Sequence, residues 1–332
     1  MNSRLVKLLL SAVAVANGGL NHPTGERGVI MIDKLGAHIR FFDPSTLTEI
    51  ASIETAQNPH DFILSADHKF AYVPIYGDGV YGKNPNPGHE VDVVDLAQHK
   101  IIRKIDIAPH RAPHGIQIDS AGLIYVTCDL DRQVLVIDPQ AGAIRATIEN
   151  EGTGHWIALL PDASKLYVAN KDDRKFISVL DLKARKLTGR IPVPNGTQGI
   201  TVSPDGKRVL AMDLADPTLI VIDPATDTVI DRIPVEGQKR VYKVYYSPDG
   251  RKLITMSSAP DQINIFDATN LRGPQKIVNV GKAPMGIGFS ADGKTALVPN
   301  HGDGTVTVVD VEKASAVRTF KAGTGIETLA WY

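Results

Sequence analysis

Three histidines stand at the starts of short apolar segments: His60 in PHDF, His114 in PHGI and His155 in GHWI. Imidazole nitrogens bind divalent transition metals and titrate near neutral pH, so such a set suits a metal centre or acid–base work. The corresponding positions elsewhere in the chain hold Gln198 (TQGI), Tyr242 (VYKV), Met285 (PMGI) and Glu327 (IETL). With 10 histidines among 332 residues, chance places three on these seven positions with a probability on the order of one in a thousand.

The elements that must position these residues come from an internal repeat. Segments ending in aspartate recur along the chain: HIRFFD, EVDVVD, QVLVID, FISVLD, TLIVID, QINIFD and TVTVVD, with their aspartates at 43, 95, 138, 181, 223, 267 and 310. The successive spacings are 52, 43, 43, 42, 44 and 43 residues, a period that marks a propeller or solenoid array. Each segment is rich in Val, Ile, Phe and Thr, and turn chemistry such as DPST or DPAT follows it, which reads as a strand leading into a hairpin. Turns such as SPDGK and SADGK, and strands such as KLYVA and KLITM, precede it in each period. Four strands per repeat, seven times, without helical periodicity, predict an all-β, seven-bladed β-propeller of four-stranded blades.

The closure is also readable. The first unit begins at RGVIMI, a second strand, and IETLAWY at the C-terminus matches an inner strand. The C-terminal strand is expected to complete the N-terminal blade, which leaves no open sheet edge at the chain ends. Glu327 then neighbours His60, and four consecutive blades offer Glu, His, His and His at one level.

Two motifs carry a family likeness. Tyr125-Val126-Thr127-Cys128 and Tyr167-Val168-Ala169-Asn170 resemble the Tyr-Val-Thr-Asn signature of the YVTN repeat family, the YncE-like bacterial propellers, and SPDGK resembles that family's turn. The resemblance spans about residues 28 to 332. It implies the fold rather than an activity, because seven-bladed propellers host lactonases, lyases, cofactor-binding subunits and interaction modules. Cys128, Asp213 and Asp33 replace the family's asparagine in three blades, and Ile75 does so in a fourth.

His60, His114, His155 and Glu327 are the expected ligands of a divalent transition metal, Zn, Fe, Mn, Ni or Cu. Cys128 is the single cysteine, so neither a Cys-rich structural zinc site nor an iron–sulfur cluster is expected, and a buried strand-end thiol is the reading for Cys128 itself. Ligands from one arc of the ring leave the other side open, toward Gln198, Tyr242 and Met285, as a catalytic metal requires. A histidine at a strand start also serves a fold by hydrogen-bonding a neighbouring carbonyl, and that structural reading stands beside the metal one. Loops after the second strands should surround the site. Among the loop residues His301 is the candidate general acid/base and Asp129, Lys171 and Tyr76 are candidate substrate contacts; on the aligned level Tyr242 is a further catalytic candidate and Gln198 and Met285 are candidate substrate contacts. The Gly-, Pro- and Asn-rich insert from Tyr76 to His89 accounts for the long first spacing and is expected as a loop, a lid or a surface excursion.

Composition bounds the rest. The formal net charge is −1, and no basic run supplies the footprint of a nucleic-acid binder. Residues 1–16 read as a signal peptide, with Arg4 and Lys7 before the apolar run LLLSAVAVA. Residues 17–27 are an N-terminal extension and 28–332 one propeller domain. A periplasmic or secreted protein is expected, with a cytoplasmic one as the alternative, and no membrane span in the mature chain. No phosphate loop, G-x-S-x-G elbow or H-E-x-x-H occurs.

These residues point to a metal-dependent enzyme that hydrolyses, ring-opens or eliminates on a small molecule, or uses oxygen if the metal is Fe or Cu. The alternative is a non-catalytic exported propeller that binds a protein or ligand.

Overall fold

The computed structural model describes residues 25–80, 83–171 and 175–332. The leader expected at 1–16 lies outside the described residues. Seven four-stranded antiparallel sheets form the blades of a β-propeller. In the first blade the strands Val29–Asp33, His38–Phe42 and Glu49–Glu54 are joined by the C-terminal strand Ile326–Trp331, which pairs with Val29–Asp33. The two ends of the chain thus close the ring, as the sequence predicts. Among the described residues no helix is long and apolar enough to cross a membrane.

Period-two alternation sends each strand's apolar residues to two different blade junctions. In Lys165–Asn170, Leu166 and Val168 pack toward the preceding blade, whereas Tyr167 and Ala169 pack toward the following one. Buried apolar clusters of this kind fill every junction between neighbouring blades. A fully buried Val or Leu is worth roughly 1.5–3 kcal/mol, so these seams hold the ring together. The repeated aspartates cap the turns that follow them: Asp43 Oδ1 accepts from the backbone N–H groups of Ser45 and Thr46, and Asp138 Oδ1 from those of Gln140 and Ala141. Their role is structural.

The insert after Tyr76 corrects one expectation. Phe70–Val80 and Lys83–Asp95 form one long β-hairpin that extends the second blade. Glycine supplies the local freedom that a loop reading of the composition misjudged: Gly77 and Gly79 take φ of 93° and 120° where the register shifts, and ladder pairing continues beyond them.

Candidate functional site

Every inner strand begins with one paired residue and then breaks register, and the seven aligned residues sit in those breaks. Gly154 pairs with Asn170 before pairing resumes at Ile157 with Val168, which leaves His155 and Trp156 out of step. The same break lies between Pro113 and Ile116 around His114, and between Thr197 and Ile200 around Gln198. It recurs between Val241 and Lys243 around Tyr242, and around Glu327, where Asp33 pairs with Ile326 and Ile32 with Thr328. Isolated bridges of Pro59 with Ile75 and of Pro284 with Asn300 precede the rest of the other two inner strands. A bulge re-aims a side chain out of the pleat, and here it does so at one height in each blade.

Three of the blades bring their imidazoles together. The His60 and His114 ring centres are 3.9 Å apart, as are those of His114 and His155, while His60 and His155 are 6.5 Å apart. Glu327 joins them from the first blade: its Oε1 lies 3.8 Å from His60 Nε2. The other carboxylate oxygen, Oε2, lies 3.1 Å from His301 Nδ1, without hydrogen-bond alignment, and 4.0 Å from Lys34 Nζ. All four aligned residues are buried, and His60 Nδ1 has no hydrogen-bond partner among the described residues. Among the same residues, no three His, Cys, Asp or Glu side chains already stand as a formed metal site.

Burial, reinforced by neighbouring cationic and imidazole groups, holds His60, His114 and His155 well below the ordinary histidine range, so their rings are neutral at pH 7. Glu327 behaves in the opposite sense. Burial pushes its carboxyl up, but Lys34, Lys243 and His301 outweigh burial and hold it below its usual value. The result is a carboxylate beside three neutral imidazoles, all buried, with cations behind the carboxylate.

Tyr76, from the long hairpin, covers this cluster. Its ring centre is 5.5 Å from those of both His60 and His114, and its hydroxyl donates to Asp129 Oδ2 at 2.7 Å. Asp129 is 1% exposed and its Oδ1 has no hydrogen-bond partner among the described residues. Burial pushes its carboxyl up to about 7, against the Tyr76 hydrogen bond.

A second storey lies one residue further along each inner strand. Around the ring these positions are Asp61, Gly115, Trp156, Gly199, Lys243, Gly286 and Thr328, so large and small residues alternate until Thr328 meets Asp61. The glycines are required by close approach. A Cβ on Gly115 would come within 2.4 Å of the His155 carbonyl oxygen, and one on Gly199 within 2.2 Å of that of Tyr242. Lys243 Nζ sits 3.5 Å above the centre of the Trp156 ring, a cation–π distance. Trp156 in turn lies 5.4–6.1 Å from the three imidazoles. Asp61, Trp156 and Lys243 also line a cavity of about 510 Å³. Burial pushes the Asp61 carboxyl up to about 7 and the Lys243 amine down to about 8.

The remaining expected contacts divide. Gln198 is buried on the same level as the histidines, and Lys171 contributes positive potential at His114 and His155. Tyr242 instead bonds Ser258 through its hydroxyl and lies near the Arg240 guanidinium, 5.6 Å from its ring centre. Met285 is half-buried, and its N–H donates to Pro299 O. Cys128 is buried, and burial pushes its thiol well up, which leaves it inert. Asp61, Trp156 and Lys243 are absent from the sequence-based site. The signal for them was a charged or bulky residue directly after an aligned position in an otherwise apolar strand.

No protein-family model and no curated protein matches this chain. Solved structures do. A hydrazine synthase chain of Kuenenia stuttgartiensis superposes with a TM-score of 0.71 at 18% identity, over 82% of this chain and 89% of that one. The β-propeller domain of Cps50 (Swd1) from Myceliophteria thermophila gives 0.67 at 15% identity, over 81% and 87%. At such identities the likeness is one of fold, and the class defined is the seven-bladed β-propeller with a His/Glu cluster where its inner strands begin.

Proposed function

We propose that the protein is a metal-dependent enzyme whose ligands are His60, His114, His155 and Glu327. The observation that carries this reading is their convergence from four consecutive blades. The ring-centre separations of 3.9, 3.9 and 6.5 Å define a circle of radius about 3.5 Å, and a metal held through a ring nitrogen at ~2.0–2.1 Å lies ~3.2 Å from the ring centre. Donors 90° or more apart on one ion would set neighbouring ring centres at least ~4.5 Å apart, so the imidazoles must spread by about 0.6 Å as well as rotate for three nitrogens to reach one ion. The 3.8 Å between His60 Nε2 and Glu327 Oε1 also suits two donors of one cation, since donors at ~2.1 Å and 90–130° apart stand ~3.0–3.8 Å from each other. Neutral imidazoles and an ionised carboxylate are the forms that bind.

A divalent cation there would polarise a carbonyl or supply hydroxide. The chain's own groups do the rest. Lys34 and His301 stabilise the Glu327 carboxylate by charge, at 4.0 and 3.1 Å, and would support it as a ligand. His301, 19% exposed at its side chain, stands at the rim where it can hand a proton between solvent and a reacting group. Tyr76, anchored by Asp129, shields the cluster from water. Hydrolysis or ring opening of a small ester or lactone, or an elimination, fits such a site; with Fe or Cu, oxygen chemistry fits as well. Membership among the YVTN-repeat propellers, supported by Tyr125–Cys128 and Tyr167–Asn170, and export through the leader at 1–16 belong to the same proposal.

Turnover of a lactone and aryl-ester panel by metal-loaded protein, lost in His155→Ala at unchanged circular dichroism, is the expected outcome. Bound metal with no turnover that depends on His155 would favour the non-catalytic binding reading.

A further inference from the structure

Lys243 is not a proposed metal ligand, and it is an unusual residue to find at the wall of an axial cavity. The residue is 2% exposed, and Nζ has neither a hydrogen-bond partner nor a carboxylate oxygen within 4.0 Å among the described residues. Its close neighbour is the face of Trp156. Gly199 lets the neighbouring inner strand pack closely against this residue: a Cβ there would lie 2.5 Å from the Lys243 Cα. The cavity wall is mixed, with Phe62, Ile116 and Leu329 beside Asp61, Gln117 and Thr328.

Burial makes an ammonium costly here and enlarges the neutral fraction of the amine over that of a surface lysine, although the Trp156 face and the Glu327 and Asp61 carboxylates favour the cation. Burial accordingly pushes Lys243 down to about 8, against the pull of Glu327 and Asp61. A neutral lysine amine next to a cavity is a nucleophile toward carbonyl carbon.

We propose that Lys243 captures a small aldehyde or ketone in this cavity as an imine. The amine nitrogen adds to the carbonyl carbon, the C=O bond is replaced by C=N, and the carbonyl oxygen departs as water with the two amine protons. No oxidant or reductant is needed. The cavity, of about 510 Å³, accommodates a carbonyl compound of six to ten heavy atoms, on the order of the smaller ligand pockets. Lys243 is not one of the proposed His/Glu ligands, but it lies within electrostatic reach of Glu327 and the imidazoles, so its chemistry is tested on metal-free protein.

The test is reductive trapping. Full-length, chelator-treated protein is incubated at pH 7 with hexanal and cyanoborohydride, and the modified lysines are located by peptide mass mapping. Lys243 is expected to be labelled at least ~10-fold faster than any other lysine, since ordinary lysines near 10.4 are almost wholly protonated at that pH. Lys243→Met and Lys243→Arg should both lose the fast addition; the arginine retains a cation above Trp156, which guards against loss of the fold. Labelling spread over the exposed lysines with Lys243 unmodified, or fast labelling that persists in the arginine variant, would overturn the proposal.

Discussion

Asp129→Asn should change how stability depends on pH in a way that isolates one carboxyl. In the native protein Asp129 is pushed from 3.8 to about 7 by burial, while in the unfolded chain it returns to ~3.9. Between those values the native state holds a proton that the unfolded state has released. Stability of the parent therefore falls as pH rises from about 4 to about 7 through this group, and the loss is complete above it. At 1.36 kcal/mol per pH unit the full span is ~4 kcal/mol, a ceiling that relaxation and water entry reduce to ~2 kcal/mol. Asparagine retains an acceptor for the Tyr76 hydroxyl and cannot ionise. The gap between variant and parent, measured by urea unfolding at pH 4.5, 6, 7.5 and 9, should widen in the variant's favour up to about pH 7 and then level off. An offset from imperfect amide hydrogen bonding would shift all points equally, so the slope carries the test. Tyr76→Phe, which removes the hydrogen bond opposing the shift, should move the window to higher pH. A gap that stays constant from pH 4.5 to 9 would refute the reasoning, because Asp129 would then titrate as an ordinary surface carboxyl.

Further outcomes are expected at the site. Gly115→Ala brings a Cβ against the His155 carbonyl oxygen and should cost ~1–3 kcal/mol, as overpacking does, measured by thermal unfolding; it should also weaken metal binding by displacing His155, and unchanged affinity would count against the required close approach. His301→Gln leaves the four ligands in place but loses the partner of Glu327, so metal affinity should fall ~10–100-fold with stoichiometry unchanged at saturation, as read by calorimetric titration.

Much of this architecture was legible because the propeller repeats its chemistry. The seven turn-capping aspartates set the period, and the histidine positions stood out only once the inner strands were aligned on it. The structure then set His60, His114, His155 and Glu327 side by side, with Glu327 arriving through ring closure. Other features depended on register, which one-dimensional patterns leave open. The break at each inner-strand start turns two consecutive side chains toward the centre, so Asp61, Trp156 and Lys243 share the interior with the residues before them. A strict period of two would have sent them into the blade junctions. Tyr242 and Met285 occupy equivalent positions in sequence, yet the Tyr242 hydroxyl is drawn to Ser258 and Met285 is only half-buried. The stretch after Tyr76 misled by composition, because two glycines at positive φ let a Pro- and Asn-rich segment pair as a hairpin.

The central claim is that four side chains from four blades hold one metal ion. It is tested most directly by elemental analysis of untagged protein, metal-stripped and then reconstituted with Zn, Fe, Mn, Ni or Cu in turn, for the parent and for His114→Ala. The account predicts about one ion per chain in the parent for at least one metal and a loss of most of it in the variant, since removing one of four ligands opens the site. No retained metal in the parent, or equal retention in His114→Ala, would contradict it and return the three histidines to the propeller core.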